Sequence, residues 1–249
     1  MLEIKRDGEL ALLELARGKG NSLDASFLKG IRTEFENLRA EPPRGEVLTA
    51  SGKLFCAGLD LVALKDARQE QVEELVSELA DTLLEIFTVP RPVVAAINGH
   101  AVAGGALLTL ACDRRLMAMG DGRWGLTESQ LGLVVPASMI EMARYSLPRT
   151  VLERLLYGGQ AYPAFKAREM GVLDDLLEVD ELLPRAGELI EDWTPVPEAF
   201  AEIKSRLKAP TVQAMESARA ADTAFVGRWF SPDVRQRVGQ AVERLVSPK

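Results

Sequence analysis

A chain of 249 residues, 47% of them hydrophobic, is long enough to bury one sizeable core. Thirty Lys and Arg against thirty-seven Asp and Glu leave a formal net charge of −7, which speaks against nucleic acid or an anionic membrane as partner, because both recruit positive charge. Two cysteines and a single histidine rule out a disulfide framework, a cysteine-based zinc site and multi-histidine metal sites.

The N-terminus, MLEIKRDGEL, lacks the apolar run of a signal peptide. It alternates instead, and two short strands over 2–6 and 10–15 around the Asp7-Gly8 turn predict a hairpin. The segment Gly18-Lys19-Gly20-Asn21-Ser22 reads as a loop. Ser22 or Asp24 can cap a helix from Ala25 to about Arg39, whose apolar face is Phe27, Leu28, Ile31, Phe35 and Leu38. Pro42-Pro43 ends it. Residues 45–50 form a buried strand, followed by a turn at Ser51-Gly52-Lys53. A glutamate-rich helix spans about Gln69 to Phe87. Val93 to Ile97 is a second apolar strand, leading through a glycine loop into a short apolar helix from Ala106 to Cys112, and Arg115 to Ala118 is a further strand. No segment approaches the roughly 20 apolar residues of a membrane helix. Cys56 and Cys112 lie in apolar stretches as small hydrophobes, and free thiols fit a reducing, cytoplasmic setting.

Alternating strands and helices predict an α/β fold. Past Asp192 the composition changes, and Pro195, Pro197 and Pro210 punctuate amphipathic helices through Val246. The chain therefore divides into an α/β core over 1–192 and a helical appendage over 193–249.

Two segments share a plan of apolar strand, glycine loop and helix: 47–60, and 93–105 with the helix that follows. Glycine lets a ligand approach the main chain closely. Gly104 falls at a helix start, where the first N–H groups lack a partner inside the helix and favour a negative oxygen. One N–H from each loop can converge on a carbonyl oxygen. On the glycine pattern alone, ordinary strand–helix turns are the favoured reading of the same residues, since glycine-rich loops are common punctuation. Neither loop matches a P-loop or GxGxxG, which disfavours a nucleotide phosphate cradle.

The segments SGKLFCAGLDL, INGHAVAGGALLTLACDRRLMA and GQAYPAFKAREMGVLDDLLE, in this order and spacing, resemble the crotonase family, also called the enoyl-CoA hydratase/isomerase family. The resemblance covers nearly the whole chain. It implies an α/β crotonase-like spiral of β-β-α units with a helical C-terminal part that drives assembly into a homotrimer or a dimer of trimers. It implies an acyl-CoA substrate of which coenzyme A is a part, with no metal or redox cofactor. By position, it makes the Leu59 and Gly104 N–H groups the oxyanion donors. Ala57 and Gly58 lie beside Leu59 in the same segment. Lys19 and Arg244 lie where the family places cations near the CoA phosphates.

Family hydratases pair two glutamates. The first would stand three residues after Gly104, where this chain has Leu107; the second matches Glu128 in WGLTESQLG. Water addition needs both a base for the water and an acid for the carbon. Moving a double bond needs one group that takes a proton from C2 and returns it to C4. The segment GLTESQLGLVVP resembles that of Δ3,Δ2-enoyl-CoA isomerases, which implies Glu128 as the single acid/base. An apolar Leu107 beside it would raise the Glu128 pKa. The competing readings are a hydratase or other family lyase with a carboxylate recruited from elsewhere, and a non-catalytic acyl-CoA binder. His100 reads as structural, and Asp60 and Asp113 as capping or loop-fixing groups. Trp124, Met139, Met142 and Tyr145 line an acyl tunnel or fill the core; sequence does not separate these.

Overall fold

The computed structural model describes residues 2–247. Strands β1 (Leu2–Asp7) and β2 (Leu10–Leu15) form the expected antiparallel hairpin, with Gly8 at φ +58° in the turn. Helix α1 (Ala25–Asn37) is capped by Asp24, whose carboxylate accepts the Phe27 N–H at 2.8 Å. Its apolar stripe is buried as the spacing requires. Next come β3 (Gly45–Ala50), β4 (Leu54–Cys56), the short α2 (Leu61–Leu64) and α3 (Gln69–Thr88). They are followed by β5 (Val93–Ile97), β6 (His100–Val102), α4 (Gly104–Ala111), β7 (Arg114–Ala118) and β8 (Arg123–Gly125). A 3₁₀ turn over Glu128–Leu131 leads to α5 (Ala137–Ser146), α6 (Arg149–Gly158), β9 (Tyr162–Pro163), α7 (Ala164–Glu169) and β10 (Asp175–Leu177). Four helices close the chain: α8 (Leu182–Trp193), α9 (Pro197–Ala218), α10 (Thr223–Trp229) and α11 (Pro232–Val246).

The strands divide between a six-stranded sheet, ordered β1-β2-β3-β5-β7-β10, and a four-stranded sheet, ordered β4-β6-β8-β9. The chain visits the large sheet, then the small one, then a helix, three times in succession: β3-β4-α3, β5-β6-α4 and β7-β8-α5. Parallel pairing of β3, β5 and β7 in one sheet, and of β4, β6 and β8 in the other, makes this a stack of β-β-α turns, the spiral that the resemblance implied. The central strands of the large sheet, β3, β5 and most of β7, are buried on both faces, while the edge strand β1 is largely exposed. Leu48, Val93 and Ala95 join the main core, while Val47, Val94, Ala96 and Leu116 meet Leu182, Ala186 and Ile190 of α8.

The sequence reading missed the small sheet. Its strands are two or three residues long, too short for a periodic signal, and β4 and β6 sit inside the glycine loops. Helix α4 starts at Gly104 rather than Ala106, because its first two positions are glycines. Pro210 does not end a helix but lies inside α9, which runs unbroken for 22 residues. Tertiary contacts override the local cost there. Lys204 and Lys208, one turn apart, both reach the buried Asp113, at 2.6 and 2.7 Å. The helices after residue 192 share the main core through Met215, Phe225, Trp229, Val234, Val238 and Val242.

Candidate active site

The site begins with Asn21, buried at a positive φ of +48°. Its Nδ2 donates to the carbonyls of Leu54 (3.0 Å) and Phe55 (3.2 Å), and its Oδ1 accepts the Arg17 N–H at 2.7 Å. One side chain thus ties the 17–22 loop to β4. Leu23 then pairs with the first glycine loop: Leu23 N–H donates to Gly58 O at 2.8 Å, and Asp60 N–H to Leu23 O at 2.9 Å. Because backbone groups alternate along an extended segment, this turns the Leu59 N–H away from Leu23.

The second loop is held against the first by close packing. Gly58 has φ +86°, and a Cβ there would come within 2.9 Å of Ala103 Cβ and 3.3 Å of Gly104 N. A Cβ on Gly105 would overlap the Cys56 carbonyl. Ala103 adopts φ +50° and ψ −124°, a conformation that costs a residue with a side chain on the order of 1–3 kcal/mol. It is fixed there by its N–H to Gly125 O (2.9 Å) and its carbonyl to Leu107 N–H (3.1 Å). Gly104 follows as the first residue of α4, so its N–H has no partner within the helix. Among the described residues, neither the Leu59 nor the Gly104 N–H donates to a protein acceptor.

Both residues open onto one cavity of about 100 Å³, continuous with solvent at its mouth. Ala57, Ala103, Leu107, Thr127 and Glu128 line it, and Leu75, Leu79 and Phe225 are among its apolar walls. Glu128 arrives through β8. The Trp124 indole N–H donates to Thr109 Oγ1 of α4 at 2.9 Å, and the Gly125–Ala103 bond sets β8 against the second glycine loop. Glu128 then opens the 3₁₀ turn. Its Oε2 is buried without a hydrogen-bond partner. Burial in these apolar walls pushes the carboxyl up from 4.5 to about 7, against a smaller opposing effect of its own backbone N–H. Among the described lining residues Glu128 is the one carboxylate, and Leu107 shares the cavity with it.

Of the residues singled out from sequence, Ala57, Leu59, Gly104, Leu107 and Glu128 meet in this cavity, and Gly58 forms the seam between its two loops. Lys19 is exposed on the loop whose next residue, Gly20, accepts the Ala57 N–H at 2.9 Å, which puts it beside the first glycine segment. Arg244 is exposed in the last turn of α11 and is not among the lining residues. His100 starts β6 and does not line the cavity either. Asp60 caps α2, and Asp113 accepts the Val93 N–H at 2.8 Å besides the two lysines, so both are fixing groups. Trp124, Met139 and Met142 are core, while the half-exposed Tyr145 packs edge-on to Phe87 at 5.3 Å. Sequence reasoning passed over Asn21, Ala103 and Phe225. Asn in a glycine loop carries a weak signal of positive φ; Ala103 and Phe225 carry none.

A spiral α/β fold with two glycine loops and one buried carboxylate in an apolar cavity defines an enzyme scaffold of the crotonase type. The profile of the enoyl-CoA hydratase/isomerase family matches residues 5–247, and the chain belongs to that family. It is 28% identical over 235 residues to the mitochondrial enoyl-CoA delta isomerase 1 of Rattus norvegicus, covering 90% of this chain and 81% of the relative. It is 29% identical over 220 residues to a carnitinyl-CoA dehydratase of Shigella flexneri, covering 87% and 84%. In structure it is similar to the human mitochondrial Δ3-Δ2-enoyl-CoA isomerase, with a TM-score of 0.92, 25% identity, and 98% and 97% of the two chains covered.

Proposed function

We propose that this enzyme moves the double bond of an enoyl-CoA from the 3 to the 2 position, with Glu128 as its single acid/base. The thioester oxygen lies between the Leu59 and Gly104 N–H groups. Glu128 takes a proton from C2, and the electron pair passes to the thioester oxygen as an enolate that the two N–H groups stabilise. When the carbonyl re-forms, the C3–C4 double bond gives way to C2–C3, and Glu128 returns the proton to C4. The balance needs no water, metal or redox partner; coenzyme A is part of the substrate.

The observation that carries this reading is the isolation of Glu128 in an apolar cavity with Leu107 beside it. Hydration would need a second acid or base, and the described lining holds no other carboxylate. A carboxyl near pKa 7 suits a group that must both accept and return a proton. The isomerase names of the rat and human relatives support the same choice. Assay of the purified protein against 3-enoyl-CoA and 2-enoyl-CoA decides between the two reactions. Conversion of the first without hydration of the second is expected; the reverse pattern rejects the proposal. Glu128→Gln should lower kcat by about 10²- to 10⁴-fold.

We place Lys19 at the CoA phosphates and propose a homotrimer, or a dimer of trimers, assembled through the helical part, which exposes Ile203 and Leu207. Among the described residues no helix is long and apolar enough to cross a membrane. Two buried free thiols support a reducing compartment such as the cytoplasm.

A further inference from the structure

The turn that carries Glu128 is fastened from outside the α/β spiral. Gly132, at φ +77°, closes the turn, and its N–H donates back to the Ser129 carbonyl at 3.0 Å. Its own carbonyl accepts two hydrogen bonds from one guanidinium, Arg228 Nε at 3.0 Å and Nη2 at 2.9 Å, delivered by α10. Arg228 is held in turn by Asp233 at the start of α11 (3.0 Å), which also pairs with Arg237 (3.2 Å). The other end of α10 is tied to the same stretch of chain. Asp222, just before the helix, accepts the Ser138 N–H at 2.9 Å and the Ser138 hydroxyl at 2.5 Å. Between these ties lie Leu133 and Pro136, two walls of the Glu128 cavity, while α10 itself adds Phe225.

We propose that Arg228 is a positioning residue for Glu128, clamping the carbonyl that ends its turn so that the carboxyl stays in the apolar cavity. A planar guanidinium placing two donors on one carbonyl fixes direction as well as distance, which a lysine cannot reproduce. The elements packed against the turn carry other charges: Arg149, Glu153 and Arg154 on α6, and Asp233, Arg235, Arg237, Glu243 and Arg244 on α11. Among the described residues none of them forms an ion pair with Glu128, so its proton affinity reports exclusion of water. Releasing the clamp lets water reach the carboxyl and lowers its proton affinity.

This inference rests on Glu128 acting as the base, and the test separates the two claims. The carboxyl titration of Glu128 is followed by ¹³C NMR of the full-length protein, with Glu128→Gln identifying the signal, in wild type, Arg228→Ala and Arg228→Lys. The titration midpoint should fall from about 7 toward the ordinary carboxylate range in Arg228→Ala, with a smaller fall in Arg228→Lys. With 3-enoyl-CoA, kcat should drop by about 10- to 100-fold while KM changes less, and the acid limb of its pH profile should move with the midpoint. Where Arg228→Ala does not fold, Arg228→Lys carries the same comparison. A folded variant with the wild-type midpoint overturns the inference. Wild-type turnover by Glu128→Gln instead removes the catalytic reading, and the NMR midpoint, which needs no turnover, still decides the role of Arg228.

Discussion

The proposed role of Glu128 draws on its unfavourable surroundings. A carboxylate in an apolar cavity lacks the water that would stabilise its charge, so it holds a proton up to about pH 7. Two consequences have opposite signs. As the proposed base it must be ionised, so kcat/KM for 3-enoyl-CoA should rise with pH through about 7, and a flat profile between pH 5 and 8 would contradict this. For stability, the folded protein binds the proton more tightly than the unfolded chain. The protonated group costs nothing below its ordinary pKa of 4.5, and the cost appears as pH rises from there through 7. Glu128→Gln should therefore be more stable than wild type at pH 8, by on the order of 1–3 kcal/mol, and the gain should vanish near pH 4. Thermal melts at the two pH values check the sign. The role proposed for Glu128 was legible only through the resemblance of its segment, since one glutamate in a loop has no periodicity to betray it. Leu107 was legible by spacing from Gly104, because residues three apart on a helix share a face. The strained backbone of Ala103 was not, because its conformation is imposed by Gly125 and Leu107 bonding to it from both sides.

At the scale of elements, amphipathic stripes decided what sequence could see. Helices α1 and α3 bury the faces their spacing predicts, and the β1–β2 hairpin follows from alternation and Asp7-Gly8. The small sheet and the full length of α9 come from contacts distant in sequence. Asp113 is the clearest case. Burial alone would raise its pKa, but the ammonium groups of Lys204 and Lys208 more than offset this and hold it below the ordinary carboxylate value. The stability it contributes is thus present above the ordinary carboxylate pKa and is lost as pH falls through its depressed value. Asp113→Asn leaves two buried lysines without a counter-charge and should cost about 3–5 kcal/mol, read by chemical denaturation at pH 7. The contribution of α10 to the cavity gives a second prediction. Phe225 is nearly fully buried, and Phe225→Ala should cost about 3–5 kcal/mol while raising affinity for longer acyl chains relative to shorter ones, as calorimetry with saturated acyl-CoA thioesters would show. An unchanged length preference in the folded variant would mean that Phe225 does not bound the acyl group.

In the whole molecule, the spiral sets two glycine loops edge to edge and pairs β8 with the second of them, while α10 adds Phe225 to the cavity from the far end of the sequence. The fold class and the order of the loops were readable from 249 residues, and the resemblance brought 59, 104 and 128 to one site; the arrival of 225 in the same cavity was not readable, because no local pattern encodes it. The shared core of spiral and tail means that damage to α10 or α11 should reach the chemistry as well as the stability.

The central claim, one carboxylate carrying one proton between two carbons, is tested most directly by isotope transfer. Turnover of 3-enoyl-CoA deuterated at C2, in ordinary water, should give 2-enoyl-CoA with part of that deuterium at C4, read by mass spectrometry and proton NMR. Product whose new C4 hydrogen comes wholly from solvent at every pH, with no trace of transfer, would contradict the account.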